Sequence, residues 1–172
     1  MLKLNLGCSD QNLPGFIGVD RWQPPWANSD NFVLADLSGP YPWLDSSVDH
    51  IRAFDFIEHV WDKIHTMNEI HRVLKPGGTV EIVVPTTDGR GAFQDPTHVS
   101  YWNRNSFFYH EARNPHFTRF KDAYKMRAAF TVEFERTQKL VDEVVILHIV
   151  LAAVKEVALE DQFLQVDSEA IA

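Results

Sequence analysis

The sequence is short of the features that would assign it quickly. It holds one cysteine, Cys8, so no disulfide can form within the chain, which suits a reducing, cytoplasmic setting. No apolar run reaches membrane-spanning length, and Met1-Leu-Lys leads into a strand-like segment rather than a secretory leader. Positive charge is scarce: 16 Lys and Arg stand against 24 Asp and Glu, a net charge of −8. That balance disfavours broad binding to a nucleic-acid backbone, although Arg104, Arg113, Arg119, Lys121, Lys125 and Arg127 form a local basic cluster. Gly7-Cys-Ser-Asp-Gln-Asn lacks the Gly-x-Gly-x-x-Gly that an NAD-dependent oxidoreductase would carry after its first strand. Repeats and low-complexity tracts are missing too.

What is present suits one well-packed α/β domain. The length is 172 residues and the hydrophobic share 45%, enough for a real core. Leu2–Leu6 and Phe16–Val19 are apolar runs of strand length; the first ends at Gly7, the second at Asp20. A strand ending in glycine, then a strand ending in a carboxylate, outlines the start of a nucleotide-binding βαβ unit. The link between them, Cys8–Gly15, is shorter than the dozen or so residues a full crossover takes, so the first crossover helix is expected to be cut to a turn. Phe32–Ala35 and Val48–Phe54 predict a third and fourth strand. Asp62 stands where an N-cap would, and Ile64, Met67, Ile70 and Leu74 recur at helical spacing until Lys75-Pro-Gly-Gly stops the helix. Thr79–Val84 predicts a buried central strand, and Phe130–Arg136 with Val144–Val154 an antiparallel hairpin.

Three segments carry a family resemblance. Asn68–Pro85, containing His71-Arg-Val-Leu-Lys-Pro-Gly-Gly, resembles the late helix and fifth strand of class I S-adenosylmethionine-dependent methyltransferases. Phe54–Val60 resembles the segment those enzymes carry after strand four, and Leu4–Cys8 their strand-one cofactor motif. The nearest subgroup is a set of short methyltransferases of the type 11 kind, with a start like Leu4–Asp20 and a box like Asp95-Pro96-Thr97-His98. The implied fold is a doubly wound, Rossmann-like sheet of seven strands, mostly parallel with an antiparallel last strand. On that reading 1–172 is one domain: 2–85 the cofactor half, 86–129 an acceptor-side insertion, 130–154 the hairpin and 155–172 a loose acidic tail. The sequence departs from the common motif where Asn5, Ser9 and Gln11 stand at the usual acidic and later glycine positions.

The resemblance implies S-adenosyl-L-methionine as cofactor and assigns site residues. Asn5, Gly7 and Cys8 would bind the cofactor, with Asn5 at its methionine end. Asp20 would meet the ribose hydroxyls, Asp36 and Leu37 the adenine, and Phe54 with Asp55 would form the floor of the site. Each has a plainer alternative: a strand-end or loop carboxylate, or core packing. Asp95 and His98 are the catalytic candidates, His98 as general base oriented by Asp95, with an Asx-Pro turn as the structural alternative. Phe93, Tyr101 and Trp102, with Phe107, Phe108 and Tyr109 nearby, could wall an acceptor pocket. No metal site is expected from His59, His65 and His71, because a six-residue spacing turns successive side chains well apart on a helix. The expected activity moves a methyl group to oxygen or nitrogen of a small-molecule or saccharide-like acceptor. A non-catalytic cofactor-binding module, or methylation of nucleic acid or protein, are the alternatives.

Overall fold

The computed structural model describes residues 1–155. The acidic tail expected from 155 onward lies outside them, apart from Lys155 itself. Seven strands form one sheet: β1 (Lys3–Leu6), β2 (Ile17–Asp20), β3 (Phe32–Leu34), β4 (Val48–Phe54), β5 (Leu74–Pro85), β6 (Phe130–Lys139) and β7 (Val145–Ala153). Their order is β3-β2-β1-β4-β5-β7-β6. β1 to β5 are mutually parallel, and β7 runs antiparallel to both β5 and β6, so only the last strand is reversed. The chain moves outward from β1 in one direction to β3, then restarts beside β1 with β4. That reversal between β1 and β4 is the point where open α/β sheets bind ligands.

The period-two pattern explains which face is buried. Leu4, Leu6, Ile51, Ala53, Val80, Ile82, Leu147, Ile149 and Leu151 pair across neighbouring strands on one face and form a continuous core. Helix α1 (Lys63–Val73) supplies Met67, Ile70 and Val73 to that core; a buried side chain of this size contributes about 1.5–3 kcal/mol. Its start is the predicted one: the Asp62 side chain accepts from the His65 backbone N–H at 2.9 Å. The expected fifth strand begins earlier than Thr79, because Leu74 pairs with Val48 before Lys75–Gly78 bulges out and the ladder resumes at Thr79.

The crossovers are leaner than the resemblance implies. The expected trimming of the first one is complete, and 21–31 and 35–47 also carry no helix. On the opposite sheet face Asn5, Arg52 and Glu81, then Phe54, Val83 and His148, line up in rows whose members, Asn5 apart, are only partly buried. The 86–129 insertion contains two short helices, α2 (Gly91–Gln94) and α3 (Pro115–Phe120), with a 3₁₀ segment at Arg104–His110 between them. It folds down so that Trp102 and Phe107 join the main core. No helix among the described residues is long and apolar enough to cross a membrane.

Folding in the insertion leaves a pH signature. His110 is 4% exposed, and burial pushes its imidazole down to about 4, aided by His71 and opposed by a hydrogen bond with the Ala128 backbone. The unfolded chain therefore binds an extra proton between about pH 4 and 6.5, so this residue makes stability fall as pH drops through that window. The expected loss from His110 is about 2 kcal/mol between pH 7 and pH 5. Denaturant unfolding at the two pH values should show that loss in the wild type and not in His110→Gln. Equal slopes in the two proteins would refute it.

Candidate functional site

Because β1 to β5 are parallel, the residues just past them collect at one edge of the sheet: Gly7, Asp20, Asp36, Asp55 and the start of the insertion at Thr86. Gly7 has φ +61°, a left-handed conformation that favours glycine. A Cβ there would also come within 2.7 Å of the Phe56 ring, so the turn needs glycine twice over. The strand-one loop is tied down by Asp20, whose Oδ2 accepts from Ser9 N–H at 2.9 Å while Oδ1 accepts from Trp22 N–H at 3.1 Å. Each oxygen keeps a lone pair for a further donor.

Beside Gly7 lies a group the sequence reading missed. The Arg52 guanidinium stands 3.7 Å from the centre of the Phe54 ring and donates to Asn5 Oδ1 at 2.8 Å and Gln11 Oε1 at 3.2 Å. Asn5 is buried, and its Nδ2 donor has no partner. The signal was there as a basic residue among the apolar Ile51, Ala53 and Phe54 that end the strand, but only the register Asn5↔Arg52 puts the two together.

Other expected residues fare differently. Cys8 is packed against Gly18, and burial pushes its thiol up to about 11, helped by the Asp20 charge; its side chain belongs to the interior rather than to a ligand surface. Leu37 is 5% exposed and part of the main core, which removes it as a free apolar face for adenine. Asp36 is exposed, its Oδ1 accepts from Ser38 N–H at 2.9 Å, and that hydrogen bond holds its carboxyl below the usual range. Trp102 is also a correction. At 1% exposure, with Nε1 donating to Ser100 Oγ at 2.9 Å, it is a core residue and cannot wall a pocket, and the same holds for the fully buried Phe107. Phe93 and Tyr101 remain available as an exposed pair with ring centres 5.1 Å apart. Phe108 lies under the Arg104 guanidinium, and Tyr109 stacks among His116, Phe120 and Tyr124.

The Asp95–His98 box comes to rest on the turn after β4. Val99 and Ser100 N–H both donate to the Glu58 carbonyl, at 2.9 and 3.0 Å, and Ser100 Oγ donates to the Ile57 carbonyl. Asp95 does not orient His98. Its Oδ1 accepts from Thr97 N–H and Thr97 Oγ1–H, at 2.8 and 2.6 Å, which closes an Asx turn and keeps its carboxyl low. His98 is held instead by the Ala92 carbonyl, 3.0 Å from Nδ1. A carbonyl only accepts, so Nδ1 carries the proton and Nε2 the lone pair. His98 packs edge-on against His59, with ring centres 4.9 Å apart.

Below these rings is a second residue the sequence reading undervalued. Glu58 is 2% exposed, and neither carboxylate oxygen has a hydrogen-bond partner. Burial pushes its carboxyl up to about 7, against the pull of its own backbone N–H, and the charges of Asp55 and Asp95 act in the same direction as burial. Asp55 has φ +48° and is exposed, yet crowding around its carboxyl raises it, opposed by His59, Arg52 and His98. His65 and His71 turn away to the Gly39 and Val154 carbonyls, as their spacing implied.

Comparison with known proteins agrees with this architecture. Residues 16–82 match a family described as a methyltransferase domain, a stretch that starts after the Gly7 loop and ends within β5. A probable S-adenosylmethionine-dependent methyltransferase of Mycolicibacterium smegmatis is 36% identical over 74 residues. The match takes in 41% of this chain but only 27% of that curated relative's length. The 1,6-didemethyltoxoflavin-N1-methyltransferase of Burkholderia thailandensis, solved with S-adenosylhomocysteine, superimposes with a TM-score of 0.59 at 14% identity, over 90% of this chain and 71% of that one. A 16S rRNA (adenine(1408)-N(1))-methyltransferase from Catenulisporales acidiphilia gives 0.56 at 13% identity, over 90% and 86%. These likenesses bear on the fold. The sheet has the Rossmann-like architecture of these methyltransferase structures, and residues 16–82 match a methyltransferase domain.

Proposed function

We propose that the protein binds S-adenosyl-L-methionine and transfers its methyl group to an oxygen or nitrogen of a small-molecule acceptor. The observation that carries this reading is the meeting of Gly7, Asp20, Arg52 and Asp55 at the β1/β4 reversal of this sheet. The residues present fit the cofactor. Asn5 Nδ2 is a buried donor without a partner, Gly7 has no side chain to obstruct the loop, and Asp20 has lone pairs left for a diol. The chemistry supplied by the bound cofactor is a methyl group on a sulfonium leaving group.

The chain's own residues do the positioning. Asp20 holds the ribose, and Asp36 lies along the adenine side. Asn5 donates toward the methionine end, where its neutral amide cannot form the ion pair an acidic residue would. Arg52 places a cation beside it, suited to the cofactor's carboxylate, and Phe54 with Asp55 forms the floor. His98 Nε2 is the lone pair that takes the acceptor's proton, and Phe93 and Tyr101 form an apolar wall beside it. Asp95 shapes the turn that carries His98. A small acceptor suits the net charge of −8 better than a nucleic acid, and Arg104 in the basic cluster is already paired with Glu111 and Glu135. A saccharide-like acceptor is a narrower form of the same proposal.

Thermal unfolding in the presence of ligand tests the class. S-adenosylhomocysteine at 100 times its dissociation constant should stabilise the protein by about 2.7 kcal/mol, and NADH at the same concentration should not. Stabilisation by NADH alone would overturn the proposal.

A further inference from the structure

We infer that Glu58, His59 and His98 form a binding site for a divalent first-row transition ion of the zinc class, at the carboxyl end of β4. One ligand atom from each of the three lies within 4.8 Å of the other two. Ligands around a zinc-class ion sit about 2.0–2.2 Å from it, so a small closure of these side chains completes a three-ligand face. The residues come from segments forty positions apart, and backbone hydrogen bonds from Val99 and Ser100 to the Glu58 carbonyl fix them together.

Four independent observations point to a cation here. Glu58 is almost wholly buried with both oxygens unpartnered, an arrangement that costs several kcal/mol for an ionised carboxylate unless a positive charge meets it. Both imidazoles are preset as ligands. His98 Nδ1 faces the Ala92 carbonyl at 3.0 Å, and His59 Nδ1 faces the Thr97 carbonyl at 3.2 Å. For His98 the carbonyl alone puts the proton on Nδ1. His59 Nδ1 also lies 3.1 Å from Thr97 Oγ1, but that hydroxyl gives its proton to Asp95 Oδ1 at 2.6 Å. Both Thr97 oxygens therefore accept from His59 Nδ1, and Nε2 is bare on both rings. A backbone carbonyl behind the distal nitrogen is the usual support of a metal-bound histidine. Thirdly, Asp55 and Asp95 lie close enough for their charges to act on Glu58, so two further carboxylates face the cluster. Lastly, His59 is exposed and His98 half-buried, which leaves one side of the cluster open to solvent.

The donor set selects the ion. Two imidazoles and a carboxylate suit zinc, iron(II) and their neighbours, whereas magnesium and calcium prefer all-oxygen surroundings. Three protein ligands with an open side is the pattern of a site that takes an exchangeable oxygen ligand rather than a closed structural site. If the methyltransferase reading holds, that ligand is an oxygen of the acceptor, and the general-base role of His98 Nε2 then belongs to the ion-free protein, because one lone pair cannot serve both the ion and a proton. The six-residue histidine spacing in the sequence drew attention to His65 and His71, which are not part of this cluster.

Metal uptake by the chelator-stripped full chain tests the site without reference to activity. Equilibrium dialysis against zinc, with cobalt(II) absorption as a second readout, should show one ion per chain. Glu58→Gln, which keeps the shape and removes the charge, and His98→Ala should each weaken uptake at least about tenfold, while His65→Ala should not. No uptake by the wild type, or unchanged uptake by Glu58→Gln, would overturn the inference. Stabilisation by S-adenosylhomocysteine, measured on the stripped wild type, reports on the cofactor reading separately, so failure of either can be told from failure of the other.

Discussion

Asp20→Ala is expected to weaken S-adenosylhomocysteine binding about 100-fold while leaving the protein folded. Hydrogen bonds to a charged group are each worth about 1.5–3 kcal/mol, and a ribose diol offers two donors to one carboxylate, so a loss near 3 kcal/mol is the lower end of what two such bonds supply. The structural cost is small by comparison. The two backbone donors that Asp20 now satisfies, Ser9 N–H and Trp22 N–H, are in exposed hydrogen bonds, and water can replace the carboxylate at both. Stability should therefore drop by no more than about 1 kcal/mol. Asp20→Asn keeps one good acceptor and should fall between, near tenfold. Calorimetric titration of the three proteins measures this directly. An unchanged dissociation constant in Asp20→Ala would remove Asp20 from the ribose and leave it as a loop tie.

The largest stability effect is expected at Trp102. Truncating a fully buried tryptophan costs about 3–5 kcal/mol, because the cavity does not collapse completely, and here the Ser100 hydroxyl also loses its indole donor. For a chain of this size that lowers the melting temperature by roughly 6–20 °C. Tyr101→Ala, one residue earlier, should stay within about 0.5 kcal/mol, since Tyr101 is 45% exposed and its main ring contact is with the exposed Phe93. Denaturant unfolding of the two variants side by side distinguishes a core residue from a surface one. If Trp102→Ala cost less than about 1 kcal/mol, the insertion would not be anchored through this side chain, and Trp102 could return as a pocket residue.

The contrast between Tyr101 and Trp102 shows where reading the chain in order runs out. Both are aromatic residues just after the Asp95–His98 box, and nothing local separates them. What separates them is the isolated bridge between Thr86 and Trp102, which pulls the second ring under the sheet and turns the first outward. Leu37 and Cys8 went the same way: their positions matched a binding motif, but the fold used both side chains for packing.

The helix and strand pattern was legible because it rests on local periodicity. Asp62 as N-cap, the stop at Lys75–Gly78, the strands ending at Gly7, Asp20 and Phe54, and the closing hairpin all follow from spacing, capping and turn chemistry within a few residues. The ordered motifs along the first half of the chain also point to the methyltransferase sheet. Charge, by contrast, depends on distance through space. That Arg52 would sit between Asn5 and Phe54, that Ala92 rather than Asp95 would hold His98, and that Glu58 would be buried beneath two histidines were decided only when strand register and the folded insertion brought distant segments together. The sequence by itself determined the sheet and the edge where ligands would meet it. The tertiary structure decided which side chains at that edge are free to act, because burial and hydrogen-bond partners belong to neighbours that no local pattern names.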